Sequence, residues 1–334
     1  MYTLRAIKPF LVIGCFVLTT LLLTACSVLH VSTVDSNQTV HIPLGTTLLN
    51  PQSASSVFTV AWSPDGKHLA LGYADGSVQV RNARTGSILY TIQGHLNHVW
   101  SLAWSPDGKR LASASWDRTV QVWDANTGAH LLTYLGHTDL ALAVAWSPGS
   151  TRIASAGSDN TVQVWDANSG ERIFTYHGHA GTVEALSWSP DGTCITSASF
   201  DHTVQVWDAT TGEHALTYRG HTSYVWAVAW SLDGKHIASG GTDGTVQVWN
   251  ATTGERTLTY HGHTNGVQVL AWSPDGKRIA SGSWDTTVQI WNATRGQHLF
   301  TYRGHVDIVG ALAWSPDGER IASVDDQLRV WQAR

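Results

Sequence analysis

The chain is poor in several features that would define a functional class. Methionine occurs once and cysteine three times in 334 residues. Cys15 lies in an N-terminal apolar run and Cys26 just beyond it, so Cys194 is alone in the body. No disulfide framework can be built from that set. Cys194 follows a Asp-Gly-Thr turn and opens a strand, where it reads as a small packed residue and not as a nucleophile. Charged residues make up 13%, the net charge is −5, and no run of one sign stands out. That excludes the basic stripe of a nucleic-acid binder. There is no glycine-rich phosphate loop, and no carboxylate pair of the kind glycoside hydrolysis needs can be picked out. What is abundant is tryptophan, 17 copies against nine tyrosines and six phenylalanines, together with 31 glycines. With 43% hydrophobic residues the chain can bury one large core or two ordinary ones. The glycines and polar turn residues favour an all-β fold with tight reversals.

The N-terminus belongs to a different class. Arg5 and Lys8 precede residues 10–23, a 14-residue run without charge that is short for a membrane span. Basic residues followed by such a run make a secretory signal. It ends in Leu23-Thr24-Ala25-Cys26, which resembles the lipobox of bacterial lipoproteins. The resemblance implies a signal peptide over 1–25, lipidation at Cys26, and a tether over 26–44. The alternative is an uncleaved anchor reaching about Val28. In both cases Arg5 and Lys8 favour a cytoplasmic N-terminus and export of the rest. The expected location is extracytoplasmic and membrane-anchored.

A 42-residue period governs the remainder. Trp-Ser begins at 62, 104, 146, 188, 230, 272 and 314, and Gly-His begins at 94, 136, 178, 220, 262 and 304. The sequence Val-Gln-Val-Trp, or Val-Gln-Ile-Trp, ends at 123, 165, 207, 249 and 291. A fixed period of this length is that of propeller blades. Each repeat reads as four strands. In the second repeat they are 98–104, 110–115, 120–123 and 130–136, here called a to d in chain order. Their apolar character on both faces suits sheets sandwiched between neighbours.

These motifs resemble the WD40 repeat family, from about residue 45 to the end. The resemblance implies a seven-bladed β-propeller over 45–334, four antiparallel strands per blade. Repeat seven lacks a strand d, and residues 45–49 lie 42 residues before the first repeat's strand d, so they are expected to close the ring. An open ring would leave two exposed sheet edges.

The resemblance also implies a structural network in each blade: the Gly-His histidine, a strand b serine, the turn aspartate and the strand c tryptophan. The matching residues are His95, Ser113, Asp117 and Trp123; His137, Ser155, Asp159 and Trp165; His179, Ser197, Asp201 and Trp207. They continue with His221, Ser239, Asp243 and Trp249, and with His263, Ser281, Asp285 and Trp291. Five copies of a His-Ser-Asp set argue against catalysis, which needs one. Repeat one departs from the pattern, with Arg81 for the tryptophan and Ser53 for the histidine. Repeat seven keeps His305, Ser323 and Trp331, but Asp325 and Asp326 both remain candidates for its aspartate. His177-Gly-His179 and His261-Gly-His263 have metal-like spacing, yet each second histidine already belongs to the network. No metal or cofactor is expected, and no enzymatic activity.

Four tryptophans fall outside the repeated slots: Trp100, Trp116, Trp226 and Trp284. Trp100 and Trp226 share a slot with Phe58 and Glu184, and Trp116 and Trp284 share one with Phe200. By resemblance both slots open on the top rim around the central channel. Six aromatics there, if half exposed, would present about 450–750 Å², at or above the largest patch of an ordinary monomer. Tyr224, His98 and Glu184 would add polar handles. The expected function is a non-catalytic, monomeric interaction scaffold that grips a protein or peptide at this rim. The alternatives are mutual packing of the rings, or a small ligand such as a glycan bound or processed at the channel mouth.

Overall fold

A computed structural model describes residues 42–334. The expectations placed on 1–41, the signal peptide, lipidation at Cys26 and most of the tether, lie outside the described residues. The described chain contains no helix and forms seven four-stranded antiparallel sheets. Together they make a seven-bladed β-propeller. Blade 2 consists of Val99–Trp104, Arg110–Ser115, Val120–Asp124 and His130–Tyr134, within two residues of the sequence reading at every boundary. The turn between strands a and b is built by its own side chains. Ser105 Oγ donates to Asp107 at 2.5 Å and accepts the Arg110 amide at 2.9 Å. Gly108 takes a φ of 71°, a conformation open to glycine at no steric cost.

Strands b and c are buried on both faces, as expected, but strand d is not. His130, Leu131 and their repeat equivalents face solvent. Neighbouring blades diverge away from the axis, so the outermost strand has lost its sandwich.

The ring closes through the N-terminal segment. Thr47–Leu49 pairs antiparallel with Leu328–Gln332, in the register Thr47 to Trp331, and completes blade 7 beside Ala311–Trp314 and Arg320–Val324. Gly45 donates its amide to the Gln332 carbonyl at 2.8 Å, and Gln332 donates back to Thr46 at 3.0 Å.

The core lies between blades. Val120, Val122 and Tyr134 of blade 2 pack with Trp146, Ile153 and Trp165 of blade 3. The same contact across the closure joins Leu69, Leu71 and Tyr73 of blade 1 to Val324, Leu328 and Val330 of blade 7. Two repeated contacts reinforce it. Tyr134 stacks on Trp165 of the next blade with centroids 4.6 Å apart and an interplanar angle of 3°. On the a–b turn side, an arginine opening strand b lies over the strand a tryptophan of the next blade. The pairs are Arg110 on Trp146, Arg152 on Trp188, Arg278 on Trp314 and Arg320 on Trp62, at 4.5 to 5.1 Å from the ring centroid.

Candidate functional site

The histidine network assembles as one relay per blade. In blade 2, His95 Nδ1 lies 2.8 Å from Asp117 and Nε2 lies 2.7 Å from Ser113 Oγ, while Trp123 donates its indole N–H to the same hydroxyl at 2.9 Å. The indole can only donate, so the serine proton turns to Nε2 and the imidazole donates from Nδ1 to the carboxylate. Asp117 also accepts the Leu96 amide and the Thr119 amide and hydroxyl. The histidine and serine are buried. Burial alone would raise the aspartate pKa, but the hydrogen bonds that the carboxylate accepts, that of the paired histidine first and those of the turn threonine after it, outweigh it. Asp159 is held down at about 2, and Asp117, Asp201, Asp243 and Asp285 lie lower still.

The relay reaches the tryptophan in three of the five sets. Trp165 and Trp249 donate to Ser155 and Ser239 at 3.3 Å. Trp207 and Trp291 do not donate to Ser197 and Ser281; their indole N–H groups are buried without a partner. In these two blades the expected four-member chain stops at the serine, and the ring is held by stacking on Tyr176 and Tyr260.

In blade 7, Asp325 and not Asp326 takes the aspartate place. It accepts the Val306 amide at 3.1 Å and lies 3.4 Å from His305 Nδ1. Arg329 also donates to Nδ1, at 2.9 Å. Since guanidinium cannot accept, that nitrogen is the acceptor here and the proton sits on Nε2. Arg81, in the tryptophan place of blade 1, is buried and donates to Tyr73, Gln79 and Gly86.

The sequence reading missed a second link. Tyr134 donates to Gln163 Oε1 at 2.7 Å, and Gln163 donates to the Gly136 carbonyl at 3.2 Å. The pattern recurs at Tyr176, Tyr218 and Tyr260. The tyrosine also explains the glycine before the histidine from Gly136 to Gly304; at Gly94, where Ile92 takes the tyrosine place, the Trp123 ring closes in instead. A Cβ on Gly136 would meet Tyr134 Oη at 2.3 Å and Gln163 Oε1 at 2.4 Å. The signal was present, since both residues keep the 42-residue period.

The rim residues gather at the channel mouth, but in two groups. Phe58, His98, Trp100 and Trp116 form one, with Trp100 and Trp116 centroids 5.1 Å apart. Phe200, Tyr224, Trp226 and Trp284 form the other, with Phe200 4.6 Å from both Tyr224 and Trp226. Leu142 and Ser158 of blade 3 and Gly310 of blade 7 stand between them in ring order. All six Phe and Trp rings are partly buried, and Tyr224 is exposed. His98 spends Nδ1 on the Ala74 carbonyl, Trp226 donates to Thr242, and Trp284 donates to Gln268. Trp116 leaves its indole N–H buried and unpaired.

Phe58, Trp100, Trp226 and Glu184 line a cavity of about 440 Å³, with Leu142, Gln268, Asp307, Asp325 and Asp326 also in its wall. Every ionisable residue in that wall is acidic. Glu184 has no hydrogen-bond or ion-pair partner among the described residues, and burial raises its pKa to about 7. No group of three or more potential metal ligands occurs among the described residues.

A ring of seven four-stranded blades with this repeated relay defines a class of repeat propellers. Six segments, 86–124, 128–166, 170–208, 212–250, 254–292 and 296–332, match the family described as WD domain, G-beta repeat. They cover more than half of the chain, which therefore belongs to that family. Residues 22–98 are also similar to the anaphase-promoting complex subunit 4 WD40 domain. No curated protein matches the chain.

Proposed function

We propose that this propeller is a non-catalytic interaction scaffold that binds a protein or peptide at the channel mouth. The observation that carries the reading is the cavity itself: two aromatic groups flank an opening whose wall holds an unpaired carboxyl, Glu184. Tryptophan and tyrosine in such a setting are the usual anchors of an interface. Phe58, Trp100, Trp116, Phe200, Tyr224, Trp226 and Trp284 supply apolar contact, and Glu184 supplies a polar one. The His-Ser-Asp relays stand outside this function. They recur around the ring with buried histidines, and their role is to hold strands b and c to the turn.

The lipobox-like Leu23-Thr24-Ala25-Cys26 supports an extracytoplasmic, lipid-anchored location in a bacterium. A second reading has one observation in its favour. A cavity of about 440 Å³ is within the range of small-ligand sites, so a compact ligand such as a glycan is the alternative occupant.

Crosslinking capture in the native host tests this. Wild type is compared with a Trp100→Ala, Trp226→Ala, Trp284→Ala variant whose fold has been checked. A protein captured by wild type alone names the partner. The same partners on both would make these rings packing residues. An empty result from both, with a glycan array showing binding, would favour the small ligand.

A further inference from the structure

The repeats provide an internal standard for a second surface, on the side of the a–b and c–d turns. At four of the seven blade interfaces an arginine opening strand b covers the next blade's strand a tryptophan. At three of these four the guanidinium also donates to two backbone carbonyls, while Arg320 donates to one, that of Ala83, at 3.5 Å. Arg110 reaches Ala167 and Ser150, Arg152 reaches Ala209 and Gly192, and Arg278 reaches Ala333 and Gly318. The turn aspartate flanks the group, as Asp275 does Arg278 at 3.9 Å and Asp317 does Arg320 at 3.6 Å. The covered rings, Trp62, Trp146, Trp188 and Trp314, are buried to 6–7% exposure.

At a fifth interface, other groups fill the place. His68 stacks on Trp104, and the Tyr90 hydroxyl donates to the Ala125 carbonyl. At the remaining two the arginine is replaced by Cys194 and His236. Nothing takes over. Among the described residues no cation or aromatic ring stacks on Trp230 or Trp272, and both rings are only partly buried. Among the described residues no side chain donates to the Ala251 or Ala293 carbonyl. In their place are two cavities of about 450 Å³ each. One is lined by Trp230, Gly234, Ala251, Cys194 and Asp191, the other by Trp272, Gly276, Ala293, His236 and Asp233. These are the equivalents, 42 residues on, of the groups that grip an arginine elsewhere.

We propose that these two cavities are receptor sites for arginine side chains of a partner protein. Each guanidinium takes the place that the chain's own arginines take at the other interfaces. The geometry selects guanidinium over ammonium, because a planar group must lie on the indole while its fork reaches two carbonyls. Asp191 and Asp233 supply opposite charge. Both cavities share Leu232 and Asp233, so one extended segment with two arginines fills both. Leu232, which replaces the proline of the other turns, is 58% exposed between them and offers an apolar seat. This site is independent of the channel mouth.

The test uses the full chain and a series of Gly-Ser peptides in which two arginines stand at increasing spacings, each with a citrulline counterpart of the same shape and no charge. Calorimetry should show the best arginine peptide binding at least about tenfold more tightly than its citrulline form. The Cys194→Arg, His236→Arg variant, which fills both places from within, should lose that binding while keeping or raising its melting temperature. The Trp100→Ala, Trp226→Ala, Trp284→Ala variant should keep it. In the wild-type chain the arginine peptide, and not the citrulline one, should slow alkylation of Cys194, followed by mass spectrometry. Equal binding of both peptides overturns the proposal. So does arginine-peptide binding that survives in the filled variant, or unchanged alkylation of Cys194 at saturating peptide.

Discussion

The guanidinium of Arg110 lies 4.5 Å from the centre of the Trp146 ring on the following blade, and the same group donates to the carbonyls of Ala167 and Ser150. One side chain thus joins two blades by a cation–π contact and three hydrogen bonds, the third to Asn168 Oδ1 at 2.9 Å. Arg110→Ala should cost about 1–3 kcal/mol, from the lost contact and the unpaired carbonyls. Urea denaturation measures it. An unchanged midpoint would mean that solvent replaces the arginine without loss.

Asp159 tests the relay. Its Asp159→Ala variant loses the bonds to His137 and to Thr161 and should be destabilised by about 1–3 kcal/mol. The loss should depend on pH. The folded-state pKa, about 2, is depressed below the unfolded value of about 3.9. The carboxylate therefore contributes fully above about pH 4, and its contribution fades as pH falls toward 2. The gap between wild type and variant should close over that window. A gap that stays constant from pH 7 to about pH 2 would assign the effect to packing.

Glu184 should behave in the opposite sense. Burial raises its pKa to about 7, so the folded chain disfavours the ionised form. The penalty is absent below the unfolded value, about 4.3, and complete above 7. Glu184→Gln should raise the melting temperature by several degrees at pH 8 and leave it unchanged at pH 4. Equal shifts at both values would remove the charge from the explanation.

Deleting residues 44–50 removes the strand paired with Leu328–Gln332. The chain leading into blade 1 is then no longer paired with blade 7, and blade 7 presents an open edge. The deletion variant should aggregate on expression. A soluble, β-rich, monomeric product by light scattering would show that the ring holds without the clasp.

The blade strands, the closing segment and the His-Ser-Asp relays were legible because each is written at a fixed interval of one chain. The arginine on Trp146 was not, although it too recurs, because residue and ring belong to different repeats and nothing local links them. The division of the rim into two aromatic groups follows from ring order, with Leu142 and Gly310 as the gaps, but summing the rings as one patch concealed it. That Trp207 and Trp291 make no bond to their serines is a matter of side-chain placement, which no spacing encodes. Cys194 illustrates the converse. As a residue it looked inert, and only the arginines at the same place in other blades give its cavity a meaning.

The pairing of Thr47 with Trp331 sets an order of events during synthesis. The first strand of the ring to be made is the last to find its neighbour. Until Leu328–Gln332 leaves the ribosome, every blade behind it can form, yet the circle stays ajar. A growing chain therefore carries an unsealed joint for almost the whole of its elongation. Any helper that shields nascent sheet edges would act there, between the segment made first and the segment made last.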